Sequence, residues 1–121
     1  SFQSQGGPWP PHCIAGSDGA ALHPDLKLPA NAHIISKATS QETDAYSGFT
    51  GTQLNELLQS LHIHRVFISG IATEYCIRET CFDLIKSGHN VFLLEKALAY
   101  IDEKGHQKTL RELAKIGVKI I

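Results

Sequence analysis

The sequence has little of what would place it in a specialised class of protein. Its 121 residues contain no Met, three Cys and 7% aromatic residues, and the formal net charge is −1. A nearly neutral chain gives no electrostatic case for nucleic acid or an anionic membrane surface as a partner. No apolar run is long enough to span a bilayer, and no signal peptide is recognisable. We therefore expect a cytoplasmic protein that binds neither nucleic acid nor a membrane.

The three cysteines exclude a disulfide scaffold. Cys13, Cys76 and Cys81 are odd in number and scattered, and a reducing cytosol is the simplest setting for such a set. A chain of this length builds one domain around one core. Because Met is absent and Ser1 comes first, we expect a processed, cleaved or incompletely represented polypeptide.

The strongest local pattern runs from Arg65 to Gly88. Val66–Ile68 is β-branched and aromatic, which predicts a buried strand. Gly70 allows a sharp turn after that strand, and Thr73 is the predicted N-cap of a helix. The apolar residues of this helix recur at helical spacing and are Ile77, Cys81, Leu84 and Ile85.

Cys76 is the candidate nucleophile of this stretch. It falls in the first helical turn at the carboxyl end of a strand, where unpaired N–H groups and the helix dipole favour a thiolate. Ligand sites of open α/β sheets gather at such strand ends. The alternative is a small buried hydrophobe, which is the prediction for Cys81. Position alone leaves both interpretations of Cys76 open.

The rest of the chain alternates between strand and helix patterns. Residues 1–31 hold all five prolines and show neither pattern, which predicts a long functional loop, with a disordered tail as the alternative. The alternation beyond them predicts a parallel sheet with helices on its faces. The predicted strands are 33–36, 66–68, 90–94 and 118–121, and the predicted helices contain Leu54–Leu61, Ile77–Ile85 and Leu110–Ala114.

Three ordered blocks resemble the nicotinamidases and pyrazinamidases, which are isochorismatase-like cysteine hydrolases. The blocks are the loop GGPWPPHC, Lys37 followed by YSGF, and the turn GIATEYC. The resemblance implies an α/β fold with a Rossmann-like parallel sheet and helices on both faces, of which this chain supplies the C-terminal strands. Residues 1–31 would be the metal and substrate loop of that single domain, and 32–121 its strand–helix units.

The resemblance also implies a reaction, the hydrolysis of nicotinamide to nicotinate and ammonia through a cysteine thioester. Cys76 would be the nucleophile, and the charge of Lys37 would stabilise its thiolate and the anionic intermediate. The backbone N–H groups of Ala72 and Cys76 would form the oxyanion hole. A cis peptide bond before Ala72 is expected if the site is intact.

The remaining roles implied by the resemblance concern the substrate and a metal ion. Trp9 would wall the ring of a small aromatic amide, with Tyr46 and Tyr75 as further walls. His12 would be one ligand of a divalent ion, with zinc expected before iron or manganese. The chain has only this one matched ligand, and we expect it to bind metal weakly.

No acidic residue of the chain matches the aspartate of the family's catalytic triad. The resemblance assigns that aspartate to a preceding N-terminal segment, whose strands would separate residues 33–36 from Val66–Ser69. We therefore expect the chain alone neither to fold nor to be active without that segment as a partner, either as a separate chain or as part of a longer one. Two alternatives stay open, namely a related cysteine amidohydrolase acting on a carbamoyl or ureido compound, and a non-catalytic fragment or pseudoenzyme. A homo-oligomer is also possible.

Overall fold

The computed structural model describes residues 2–40 and 44–121 and divides the chain into two compact units. The first unit comprises Ser1–Ile34 and Thr39–Asp44. Its regular structure, within the described residues, is limited to the 3-10 turns Gln3–Gln5 and Asp18–Ala20 and a bridge between Phe2 and Trp9. Frequent Pro and Gly prevent longer elements here, as the sequence predicts.

The second unit comprises Ile35–Ala38 and Ala45–Ile121 and contains alternating helices and strands. Its elements are α1 (Leu54–Ser60), β1 (Arg65–Gly70), α2 (Arg78–Lys86), β2 (Asn90–Leu98), α3 (Glu103–Lys115) and β3 (Lys119–Ile120). A π-helical turn, Thr73–Ile77, leads directly into α2. No helix in the described part of the chain has both the length and the apolar character needed to cross a bilayer.

The three strands form one parallel sheet in the order β1-β2-β3. Arg65 pairs with Asn90 at one end of β1, and Phe92 of β2 pairs with Lys119 of β3. A parallel sheet connected through helices is what the alternating sequence pattern predicts. The α/β fold class is confirmed.

Three local predictions are wrong. Residues 33–36 form no strand, since a strand requires a hydrogen-bonded neighbour and the described residues offer them none. Thr73 is the first residue of the π-helical turn rather than its N-cap, which is Ala72. The strand predicted to end at residue 94 continues to Leu98, because the Ala99 N–H donates to the Gly70 carbonyl and extends the contact with β1.

The core lies between the sheet and the helices α2 and α3. Val91 and Leu93 alternate along β2 so that both point to the same face, and both are fully buried. Cys81 and Leu84 of α2 and Leu113 of α3 are fully buried against them. Burying a side chain such as Leu93 contributes about 1.5–3 kcal/mol to folding.

The opposite face of the sheet is more open. Phe67 of β1 stacks on Phe92 of β2 with ring centroids 4.8 Å apart, yet Phe67 is 53% exposed. Lys119 Nζ lies 5.1 Å from the centre of the Phe92 ring. Within the described residues β1 pairs only with β2, so its second edge has no partner strand.

An ion pair fastens α2 to α3. Arg78 Nε donates a hydrogen bond of 2.9 Å to Glu112 Oε2, and the same guanidinium also pairs with Glu79. The hydrogen bond from Arg78 holds the pKa of Glu112 below its usual range. The carboxylate therefore contributes stability above the usual Glu pKa and loses that contribution as the pH falls through its lower folded-state value.

We expect Glu112→Gln to lower the urea midpoint of unfolding at neutral pH, because the ion pair with Arg78 is lost. The difference from wild type should shrink as the pH falls below the usual Glu pKa of about 4.3 and vanish below the lowered folded-state pKa of Glu112. Urea titrations of both proteins at neutral and at acidic pH measure this difference in midpoint, with Glu56→Gln on α1 as the control. A loss of equal size at both pH values would contradict the prediction.

Candidate active site

Cys76 lies at the elbow where the chain leaves β1 and enters α2. Gly70 ends β1 with φ of 122°, a backbone conformation that side-chain-bearing residues rarely adopt. The peptide bond between Ile71 and Ala72 is cis, as the resemblance implied. The π-helical turn then places Cys76 half-buried at the carboxyl end of the parallel strand. This is the position that the sequence pattern predicts for it.

Backbone hydrogen bonds fix the elbow to the segment that follows β2. The Ala99 N–H donates to the Gly70 carbonyl at 3.0 Å. The Ala99 carbonyl in turn accepts from the Thr73 N–H at 3.0 Å and from Thr73 Oγ1 at 3.2 Å. Thr73 is fully buried, so these bonds satisfy a polar group that would otherwise be costly to bury.

Glu74 makes a second connection to the same segment. Its Oε1 accepts hydrogen bonds from the Ile101 N–H at 2.9 Å and from the Asp102 N–H at 2.6 Å. Asp102 caps α3 by accepting from the Gly105 N–H at 2.7 Å. The residue two positions before Cys76 is thereby tied to the start of α3.

Lys37 is the charged group beside the nucleophile. Its Nζ lies 3.3 Å from Cys76 Sγ and donates a hydrogen bond of 2.8 Å to the Ala45 carbonyl. Lys37 and Cys76 are both half-buried. Partial exclusion of water strengthens the interaction between an ammonium group and negative charge on the sulfur. The structure therefore brings together the two side chains that the resemblance paired.

Two of the predicted aromatic walls belong to the same unit. The rings of Tyr46 and Tyr75 have centroids 5.7 Å apart at an interplanar angle of 38°, and both residues are half-buried. Tyr75 directly precedes Cys76, and Tyr46 follows Ala45, whose carbonyl holds Lys37. Both rings therefore lie on segments that also carry the nucleophile or its neighbouring cation.

The proposed oxyanion hole begins at Ala72. This residue is buried, and no acceptor for its N–H is found among residues 2–40 and 44–121. Cys76, the second proposed donor, lies one turn later in the π-helical turn that Ala72 caps. An N–H not engaged with protein acceptors is the type of donor that an oxyanion requires.

His12 and Trp9 belong to the first unit. His12 Nδ1 lies 2.7 Å from the Pro10 carbonyl, which can only accept, so Nδ1 carries a proton and, in the neutral imidazole, Nε2 has the lone pair. Metal-binding histidines commonly show this arrangement. Trp9 is half-buried and its carbonyl accepts from the Gln3 N–H at 2.6 Å.

A complete metal centre is not formed by the described residues. They contain no group of three or more His, Cys, Asp or Glu side chains placed to hold an ion. The assignment of His12 as one ligand, which the resemblance implies, stays a prediction, and the residues described do not form a full coordination sphere.

Sequence reasoning missed a group of polar contacts beneath the nucleophile. Ser47 Oγ donates to Asp83 Oδ2 at 2.5 Å. Thr80 Oγ1 accepts from the Gly48 N–H at 2.8 Å and donates to the Cys76 carbonyl at 2.7 Å. A helical signal could have indicated them, because Cys76, Thr80 and Asp83 are spaced i, i+4 and i+7 and fall on one helix face.

Comparison with known proteins agrees with this geometry. The family model described as the isochorismatase domain matches residues 1–121. The chain belongs to the isochorismatase domain family. The chain is 38% identical over 120 residues to the nicotinamidase of Acinetobacter baylyi, covering 93% of this chain and 56% of that relative. It thus spans little more than half the length of this isochorismatase-domain protein.

Two solved structures resemble the whole chain. Pyrazinamidase of Pyrococcus horikoshii, in complex with zinc, is 44% identical with a TM-score of 0.95, and the match covers 100% of this chain and 66% of that one. The protein PnC1 from L. infantum, in complex with nicotinate, is 38% identical with a TM-score of 0.94, covering 100% and 64%. The isochorismatase-like fold expected from the sequence is confirmed.

The three cysteines are expected to differ in their reactivity. Burial raises the pKa of the Cys81 thiol to about 11, whereas Cys13 is exposed and Cys76 is half-buried. The thiolate is the reactive form. Iodoacetamide at a pH of about 8 should therefore modify Cys13 and Cys76 in the folded protein and spare Cys81.

Tryptic peptide mapping can separate these sites, because cleavage after Arg78 places Cys76 and Cys81 on different peptides. Unfolding in guanidinium before alkylation is the control and should label all three cysteines. Modification of Cys81 in the folded protein would show that this side chain is not held in the core.

Proposed function

We propose that the chain carries the nucleophile of a nicotinamidase, which hydrolyses nicotinamide to nicotinate and ammonia. The observation that supports this most directly is Lys37 Nζ at 3.3 Å from Cys76 Sγ. A cysteine beside a fixed cation at a strand-to-helix elbow is suited to nucleophilic catalysis. The similarity to a nicotinamidase and to a structure holding nicotinate favours this amide over a carbamoyl or ureido compound.

The reaction begins with attack of the Cys76 thiolate on the amide carbon. The carbon–sulfur bond forms while the carbonyl π electrons move to oxygen, which gives a tetrahedral oxyanion. The Ala72 and Cys76 N–H groups are the donors proposed for that oxyanion. The ammonium of Lys37 lies next to the sulfur, where it stabilises negative charge before the attack.

Collapse of the tetrahedral intermediate breaks the carbon–nitrogen bond. The nitrogen leaves as ammonia after it accepts a proton, and a thioester remains on Cys76. Water then attacks the thioester carbon and releases the acid and the thiol. The proton transfers need a general acid–base, a role that the resemblance gives to an aspartate of a preceding segment.

The substrate proposed for this site is a small aromatic amide. Tyr46 and Tyr75 supply aromatic surface next to the reacting groups, and the resemblance gives Trp9 the same role. Flat heteroaromatic rings bind well against such side chains. Pyrazinamide has the same amide on a similar ring and should be hydrolysed as well.

A divalent metal ion is part of this proposal, with zinc favoured over iron and manganese. The Pyrococcus horikoshii relative holds zinc, and His12 Nε2 is available as one ligand. The other ligands would have to come from residues outside those that the structure describes. When bound, the ion would supply a positive charge for orienting the ring nitrogen. The covalent steps described above do not pass through it.

We further propose that a preceding segment pairs with the second edge of β1 and carries the catalytic aspartate. The unpaired edge and the half-exposed Phe67 support this, since open apolar edges are avoided in stable sheets. The segment would belong to the same domain, as a separate chain or as part of a longer one. The reducing cytosol is the setting that keeps Cys76 as a thiol.

Ammonia release from nicotinamide is the direct test. The protein should release ammonia when the aspartate-bearing segment is present, and Cys76→Ala should abolish the release because no thioester can form. Lys37→Met should reduce kcat by a factor of about 100 or more, since a charge next to the reacting sulfur is lost. Glu56→Gln on α1 serves as the matched surface control.

The outcomes separate the alternatives. Ammonia release by this chain alone would show that the expected dependence on a further segment is wrong. Release that persists in Cys76→Ala would refute the thioester route. A protein that stays inactive with metal and the segment supplied, although Cys76 reacts with iodoacetamide, would favour the non-catalytic alternative.

A further inference from the structure

The loop of residues 45–49 lies against the helix face below the nucleophile. Cys76, Thr80 and Asp83 lie on that face, and Ala45, Ser47 and Gly48 supply the loop's side of the contact. Lys37 Nζ is bound to the loop through the Ala45 carbonyl and lies against the helix through Cys76 Sγ. The position of the cation therefore depends on how the loop is held on the helix.

Thr80 is the residue that joins the two sides. Its hydroxyl accepts from the Gly48 N–H at 2.8 Å and donates to the Cys76 carbonyl at 2.7 Å. One oxygen thus connects the loop backbone to the backbone of the nucleophile. A hydroxyl has the donor and the acceptors for both bonds, whereas an aliphatic side chain has neither.

Two further features keep the loop close to the helix. Ser47 is buried, and its hydroxyl donates to Asp83 Oδ2 at 2.5 Å while it accepts from the Phe49 N–H at 3.1 Å. A Cβ placed on Gly48 would lie 3.2 Å from Leu54 Cδ2 and 3.6 Å from Thr80 Cγ2. The loop is therefore too close to its neighbours at Gly48 to accept a side chain without displacement.

We propose that Thr80 is a positioning residue that sets the distance between Lys37 and Cys76, assisted by the hydrogen bond between Ser47 and Asp83. Thr80 acts through Lys37, since its hydroxyl is bonded to the Gly48 N–H and to the Cys76 carbonyl. Its importance for catalysis rests on the function proposed above, but its effect on the cation–sulfur contact does not. That contact can be measured through the alkylation rate of Cys76.

Thr80→Val is the decisive variant, because valine keeps the volume and removes the hydroxyl. The rate constant for alkylation of Cys76 by iodoacetamide, followed on its tryptic peptide, should fall by a factor of about 3 to 10. Thr80→Ser restores the hydroxyl and should restore most of the rate. Thr109→Val, at a buried threonine on α3, is the control and should leave the rate unchanged.

A double-variant cycle with Lys37→Met distinguishes positioning from general loosening of the fold. If Thr80 acts through Lys37, the double variant should react no more slowly than Lys37→Met alone. Losses that multiply in the double variant would overturn the proposal. An unchanged rate in Thr80→Val, or no recovery in Thr80→Ser, would overturn it too, provided that circular dichroism shows folded proteins.

Nicotinamide hydrolysis, measured on the same variants, separates this proposal from the proposed function. Loss of coupling in the alkylation cycle refutes the role of Thr80 even if the wild-type protein releases ammonia. Intact coupling without any ammonia release supports that role and counts against the amidase. Both experiments use the protein together with the aspartate-bearing segment, and no ligand is added in the alkylation series.

Discussion

The placement of an ammonium group beside a thiol is the interaction on which the candidate site depends. Lys37 and Cys76 are 39 positions apart in the sequence, and their contact brings a loop and a helix into one arrangement. Such a contact is costly to assemble, because a long lysine side chain loses its freedom when it is held. The Ala45 carbonyl offsets part of that cost by giving Nζ a second partner.

The sheet supplies the rigid frame for that contact. β1 and β2 run parallel, so their carboxyl ends lie at the same edge. The N–H of Ala99, which follows β2, donates a hydrogen bond to the carbonyl of Gly70 at the end of β1. Glu74 adds a second connection between the elbow and this segment, because its carboxylate accepts hydrogen bonds from two backbone N–H groups just before α3. The elbow that carries Cys76 is thus held by two sets of hydrogen bonds to the segment after β2. This suits a nucleophile that must be oriented toward one carbon atom.

The two faces of the sheet differ in how well they are covered. One face is closed by α2 and α3 around Leu93, whereas Phe67 remains 53% exposed on the other, and within the described residues the second edge of β1 has no partner strand. The chain also spans only part of the length of its nicotinamidase and pyrazinamidase relatives. The open face and edge support the proposal that further strands join the sheet, and the proposed aspartate-bearing segment would bring both structure and chemistry.

The sequence by itself determined the parallel α/β class, the helices and the elbow. The patterns that predict them, periodic apolar residues and the glycine at the end of β1, involve only residues close together in the chain. The ordered blocks also selected Cys76 and Lys37 as a pair.

Only the tertiary structure decided the contacts between distant residues. Residues 33–36 carry a strand-like composition but find no partner strand among the described residues, and Thr80 looks like an ordinary helical threonine until the loop at Gly48 is folded against it. Hydrogen bonds between segments far apart in sequence produce no periodic pattern of residues, so only the fold can reveal them.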